Sequence, residues 1–244
     1  MIRLLAITLL FAAGAVAEQT PFKLGNAAFN KQELDEALEH YQAQIDSGRV
    51  SATLHFNLAN AAFHDGQLGR AIFHYREAQS LAPRDEDVAH NLKIARDAVH
   101  NGTPPKTGLW RRLTGFLTLN EWALLAVIPL TLWLAWLTAV NLRPAGRKRG
   151  AIWRPILGGV AIVLAIITLI AWRIQTGNTW VVTNKETTAR FGPVAASPDQ
   201  FKWFDGAELQ IERTHGDWLL VQDATGRQGW VPAADVLQPG RPKS

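Results

Sequence analysis

Two uncharged runs separated by a short basic stretch restrict the folds open to this chain. Trp122 to Leu142 is a run of 21 residues without a charged side chain, and Pro155 to Trp172 is a second run of 18. As helices rising about 1.5 Å per residue they would measure roughly 31 and 27 Å, close to the roughly 30 Å hydrocarbon core of a bilayer. Between them, RPAGRKRGAIWR (143–154) carries Arg143, Arg147, Lys148, Arg149 and Arg154. Short loops of this charge stay on the cytoplasmic side. The alternative is a pair of buried core helices in a soluble protein, but such helices keep a polar stripe and these have none. Trp122, Trp153 and Trp172 stand near the ends of the runs, where interfacial aromatics belong, and Pro129 and Gly158-Gly159 are tolerated in membrane helices. Arg111, Arg112 and Arg173 flank the opposite side, but five positives in one tight loop outweigh them. The expectation is a hairpin of transmembrane helices at 121–142 and 155–174. Everything before 120 and after 175 is then extracytoplasmic.

The N-terminus agrees. Arg3 is followed by the apolar stretch Leu4 to Val16 and by Ala15-Val16-Ala17, the pattern of a secretory signal (1–17) cut after Ala17; an uncleaved anchor is the alternative. Either form carries the following segment out. The chain has 244 residues, no cysteine and a net charge of +4. No disulfide framework, thiol nucleophile or thiolate metal site is possible. The basic excess lies largely in the 143–154 loop and the tail (239–244), where it orients the chain and attracts anionic headgroups, so no nucleic-acid partner is expected.

Residues 21–99 contain an internal repeat. LGNAAF (24–29) recurs as LANAAF (58–63), an offset of 34 that also relates Leu34 to Leu68, Ala37 to Ala71, His40 to His74, Tyr41 to Tyr75 and Leu58 to Leu92. The period, the small residues at Gly25/Ala59 and Ala28/Ala62, the tyrosine of each second helix and Pro83 at the end of a unit resemble the tetratricopeptide repeat (TPR). The sequence departs from that pattern at Pro21 and His55, where the family has tryptophan, and at Gln44, where it has alanine. Two antiparallel helix pairs, turning at 30–32 and 65–67, would stack because neither pair buries its apolar stripe alone. Residues 85–99 would close the stack, with Asp85 to Asp87 at the helix N-terminus. The resemblance implies that the first helices line a peptide groove. Asn26, Asn57 and Asn60 are the candidate contacts, since a primary amide donates to and accepts from a peptide backbone at once. The competing reading has them stabilising inter-helix packing or facing water.

After a Pro- and Gly-containing linker (100–120), whose Leu113, Phe116 and Leu117 could lie along the lipid interface, and after the hairpin, residues 178–238 change texture. Short runs at 179–183, 207–212, 217–223 and 228–233, broken at Asp205-Gly206, Gly216-Asp217 and Gly226, predict strands of a small barrel. The order Arg190-Phe191-Gly192-Pro193, Asp205-Gly206, Asp217-Trp218 and Gly229-Trp230-Val231 resembles the bacterial SH3-like domain. Trp203, Phe204 and Trp230 are the candidate ligand face; the competing reading places them in the barrel core.

No catalytic pattern stands out. There is no phosphate loop, nucleophile elbow or HExxH motif. His40 and His74, one repeat apart, precede the packing tyrosines and are expected to face water rather than hold a metal. Neither long run carries a charged group for an ion pathway. The fold class expected is a multidomain membrane protein: an α-helical TPR solenoid, a transmembrane hairpin and a small all-β SH3-like barrel. That order resembles the BatE branch of the Bat (aerotolerance) family. The resemblance implies a non-enzymatic scaffold of the bacterial cytoplasmic membrane, without cofactor or metal. Its implied partners are von Willebrand A-domain membrane proteins and a MoxR-type ATPase system, in envelope or oxidative stress tolerance. A peptidoglycan-binding protein that recruits a wall enzyme is the other expectation.

Overall fold

The computed structural model describes residues 20–99, 113–142, 153–176 and 180–239. The signal-like segment, most of the linker, most of the basic loop and nearly all of the tail lie outside them.

Five helices open the described part of the chain: α1 (Pro21–Asn30), α2 (Leu34–Asp46), α3 (Ala52–His64), α4 (Leu68–Leu81) and α5 (Glu86–Ala98). Each boundary has a local cause. Pro21 starts α1, where its missing N–H costs nothing. Ser51 caps α3 by accepting from the Leu54 amide, and Asp85 caps α5 by accepting from Asp87 and Val88. The two intra-repeat turns are equivalent. Glu33 N–H donates to Ala28 and Gln67 N–H to Ala62, both across a residue of positive φ. That residue is Gly66 in the second turn and Gln32 in the first, so the first repeat carries strain the second avoids. At the α1–α2 crossing, a Cβ on Gly25 would lie 2.6 Å from the Tyr41 ring, so only glycine lets the helices approach this closely. Gln44 occupies the small position filled by Ala78 in the second repeat. It is buried, and its Oε1 has no hydrogen-bond partner.

Two long helices follow, α6 (Leu119–Leu142) and α7 (Trp153–Thr176), each extending two residues beyond the expected bounds at one or both ends. Both are long and apolar enough to cross a membrane. They pack antiparallel: Thr168 Oγ1 donates to the Trp122 carbonyl at 3.0 Å, and Gly158 lies beneath the Trp133 ring. Their outer faces remain bare, Leu132 at 66% exposure for example. At the head of α6, Arg84 grips the Glu121 carboxylate with both terminal nitrogens and bonds the Phe116 carbonyl, tying the end of the second repeat to this helix.

The last part is an antiparallel sheet of seven strands: β1 (Trp180–Thr183), β2 (Thr187–Arg190), β3 (Asp199–Trp203), β4 (Glu208–His215), β5 (Trp218–Gln222), β6 (Gln228–Pro232) and β7 (Val236–Leu237). Its order is β3-β2-β6-β5-β4-β1-β7. Four strands match the predicted runs; β2, β3 and β7 were not predicted. Every strand contributes to one core, from Val181 and Ala189 through Trp203, Leu209, Leu219 and Val231 to Val236, so the sheet curls round a shared interior. Bulges at Ala189/Arg190 and Ile211/Arg213 assist the bend.

The solenoid and the sheet touch. Val182 and Trp180 belong to the solenoid's apolar cluster, beside Ile72, Phe73 and Val99. The Arg76 guanidinium stacks 3.6 Å from the centre of the Trp180 ring. Glu208, its side chain 3% exposed, accepts from Arg76 at 2.8 Å and from Arg96 at 2.6 and 2.8 Å. Gly69 N–H donates to Asp205 at 3.1 Å. Two glycines permit the approach. A Cβ on Gly69 would sit 1.9 Å from the Thr183 carbonyl oxygen, and one on Gly206 would sit 2.7 Å from Val99.

Candidate functional site

The three candidate asparagines fall on one polar ladder. Asn26 Oδ1 accepts from Tyr41 Oη at 2.8 Å and from Asn57 Nδ2 at 3.0 Å. One repeat later Asn60 Oδ1 accepts from Tyr75 Oη and from Asn91 Nδ2, the latter at 3.1 Å. Each tyrosine joins the two helices of its own repeat, and each asparagine pair joins a first helix to the next one, α1 to α3 and α3 to α5. Burial pushes both tyrosine hydroxyls up to about 12, so they remain donors across the physiological range.

The amides therefore have two tasks. Asn26 and Asn60 hold the repeats together through Oδ1, which is the packing role named as the alternative. Among the described residues, their Nδ2 groups and the Oδ1 atoms of Asn57 and Asn91 have no hydrogen-bond partner and are not sealed from solvent. That leaves one donor and one acceptor per repeat, the complement of a peptide unit. Asn91 was missed in the sequence, although the 34-residue offset from Asn57 leads straight to it.

The sheet candidates separate. Trp203 is 3% exposed, its ring edge-on to Phe201 and its Nε1 donating to Asp223 at 3.3 Å. This corrects its assignment to the ligand face, because an indole closed in by the core offers nothing to a ligand. Phe204 is half-buried just before the Asp205-Gly206 turn, its carbonyl accepting from Thr183 Oγ1. Trp230 is half-buried on β6, between Arg190 of β2 and Leu220 of β5, with its ring 6.4 Å from that of His215.

A second correction concerns His74. It is buried rather than facing water, at 5% exposure, and stacks on the equally buried His55 with their Nδ1 atoms 2.9 Å apart. One Nδ1 must donate and the other accept, so the two rings are not both imidazolium. Burial lowers His55 to about 4. His40 lies instead beside Glu36, at 3.5 Å. Among the described residues, no group of three or more His, Cys, Asp or Glu is placed to hold a metal ion.

Comparison with known families finds two matches. Residues 52–85 match the tetratricopeptide repeat, the second helix pair and its closing turn. Residues 184–236 match the bacterial SH3 domain, the span from just after β1 into β7. A search of curated proteins gives no match to the chain. The chain thus carries a TPR unit and a bacterial SH3 segment, both of which point to binding of proteins or of cell-wall material.

Proposed function

We propose that this chain is a two-pass membrane scaffold of the BatE type. Its TPR solenoid and SH3-like barrel stand together on the extracytoplasmic side and bind other envelope proteins without catalysing a reaction. The observation that carries this reading is the solenoid–sheet junction. Arg76 and Arg96 precede the two apolar helices in the chain and Glu208 follows them, yet the three form one ion cluster. Parts that touch share a compartment, so the number of crossings between them is even. Two apolar helices long enough to cross a membrane fit two crossings, and the basic connection between them supports a cytoplasmic loop in this reading. The bare outer faces of α6 and α7 find their solvent in lipid. The asparagine amides left open on α1, α3 and α5 form the peptide-reading surface, and the Arg84–Glu121 grip holds that surface to the membrane helices.

Within this reading, the partners are von Willebrand A-domain membrane proteins and, through them, a MoxR-type ATPase system serving oxidative or envelope stress tolerance. Reporter fusions at residues 100 and 244 in the bacterial cytoplasmic membrane should both register export, and a cytosolic signal from either refutes the topology. Cross-linking in native membranes should trap an A-domain protein on the TPR segment; repeated recovery of none removes that partner class. The bacterial SH3 match and the half-buried Trp230 favour a second reading, binding of peptidoglycan. Co-sedimentation of the detergent-solubilised chain with purified cell wall, abolished by Trp230→Ala, would decide for it.

A further inference from the structure

Away from α6 and α7, seven large apolar side chains are exposed among the described residues. Three of them, Leu81 (45%), Leu113 (55%) and Phe116 (63%), belong to segments that meet at the head of α6. The register of the two long helices sets their height. Thr168 of α7 donates to the Trp122 carbonyl of α6, so these two residues are level. α7 runs on from there and reaches Trp172, 48% exposed, about 6 Å further along. α6 begins on the same side, at Leu119, about 4.5 Å beyond Trp122. Trp122 Nε1 donates to the Thr114 carbonyl at 3.0 Å, which folds the 113–116 turn back beside the helix. Leu113 and Phe116 therefore stand at the level of two tryptophans, where aromatic rings meet headgroups in a bilayer.

The solenoid comes down to this level too. The Arg84 guanidinium lies 5.7 Å from the centre of the Phe116 ring and bonds the Phe116 carbonyl, and Leu81 closes α4 three residues earlier. The charges adjoining these side chains in the sequence nearly cancel: Arg84, Arg111, Arg112 and Arg173 against Glu77, Asp85, Glu86, Asp87 and Glu121. Anionic headgroups therefore exert little net pull here, and apolar contact is left to hold the patch. We propose that the bilayer surface is itself a partner of the solenoid. Leu81, Leu113 and Phe116 enter the headgroup region together and seat the closing turn of the second repeat on lipid, whatever the headgroup charge. An interfacial course for residues 113–117 was legible in the sequence; the solenoid's own contact with lipid was not. The inference rests on the reading of α6 and α7 as membrane-spanning.

The chain has no cysteine, so single spin labels report without background. Leu81→Cys, Leu113→Cys and Phe116→Cys are labelled in the full chain, in nanodiscs of phosphatidylcholine with and without phosphatidylglycerol. Collision of each label with oxygen is compared with its collision with a water-soluble nickel chelate. Leu132→Cys, at a site 66% exposed within α6, is the lipid reference. Ile94→Cys, at a site 42% exposed and about 12 Å along α5 from its start, is the water reference. Oxygen should prevail at 81, 113 and 116 as it does at 132, in both lipid mixtures, and nickel at 94. Leu113→Ser with Phe116→Ser should shift the label at 81 towards nickel and leave 132 unchanged. A label at 81 that favours nickel, matches the one at 94, needs phosphatidylglycerol or ignores the two serines would overturn this inference and leave the two-pass reading standing. A label at 132 that favours nickel would overturn both.

Discussion

Gly69→Ala turns the solenoid–sheet junction into a question of sign. In an exposed helix the change is favourable by up to about 1 kcal/mol, because alanine loses less backbone entropy and shields the helix better than glycine. Here the added Cβ would lie 1.9 Å from the Thr183 carbonyl oxygen, and carbon contacts below 3.0 Å essentially never occur, so α4 and β1 must part by at least 1.1 Å. That separation breaks the 3.1 Å bond from Gly69 N–H to Asp205 and loosens the neighbouring Arg76–Glu208 contact. A hydrogen bond to a charged group contributes about 1.5–3 kcal/mol. Set against the helix gain, the net expectation is a loss of about 2 kcal/mol, roughly 5 °C in melting temperature for folded parts of this size. Thermal unfolding of the full chain in detergent reads the sign, and hydrogen exchange at residues 180–183 locates it. Unchanged or raised stability, with exchange at β1 as in the parent, would refute the contact.

Three further outcomes follow from the same geometry. Glu208→Gln keeps the shape but removes the charge shared by Arg76 and Arg96. Those arginines are 15% and 26% exposed and recover part of their hydration, so the loss is about 1–2 kcal/mol, seen in urea titration together with faster exchange in β1. Tyr75→Phe deletes one donor to Asn60 and leaves the Asn91 bond, costing about 1 kcal/mol; a neutral result would show the ladder to be idle. His55 stays neutral in the fold until about pH 4, whereas the unfolded imidazole takes its proton near 6.5. Stability from this site is therefore intact above about pH 6.5 and falls as the pH drops towards 4, by on the order of 3 kcal/mol. Unfolding midpoints across that window, compared with His55→Leu, isolate the slope, and identical profiles would disprove it.

Much of this architecture was legible in the residues, for reasons that differ by segment. The solenoid was readable because a 34-residue period restates each packing position, and Gly25, Tyr41 and their partners do what their spacing implies. The long apolar helices were readable because lack of charge over some twenty residues admits few structures. The sheet was half-readable. β1, β4, β5 and β6 lie in apolar-containing runs set off by Asp-Gly, Gly-Asp and Gly breaks, but β2 (TTAR) and β3 (DQFKW) are short and polar and owe their place to pairing with neighbours. The side-chain roles were harder still. Nothing local distinguishes a tryptophan that plugs a core from one that rims it, and Trp203 is settled by Asp223, twenty residues on. His74 looked solvated by its place before Tyr75, until His55 of the neighbouring helix covered it. Asn26 and Asn60 looked free for a ligand, whereas each anchors a tyrosine. A ligand test through their removal would confound binding with folding, which Asn57 and Asn91 avoid.

The pairing of Arg76 with Glu208 spans 132 residues. A ribosome has therefore made both apolar helices before the fourth helix can meet the strand that covers it. Until then Ile72 and Phe73 lack their strand cover, and under the proposed topology a molecule with only one of the two helices inserted would leave them so for good. Under the proposed two-pass topology, assembly of the two parts would double as a check on insertion: copies with both helices inserted close, and copies with one inserted keep a greasy flank open to whatever disposes of unfinished proteins.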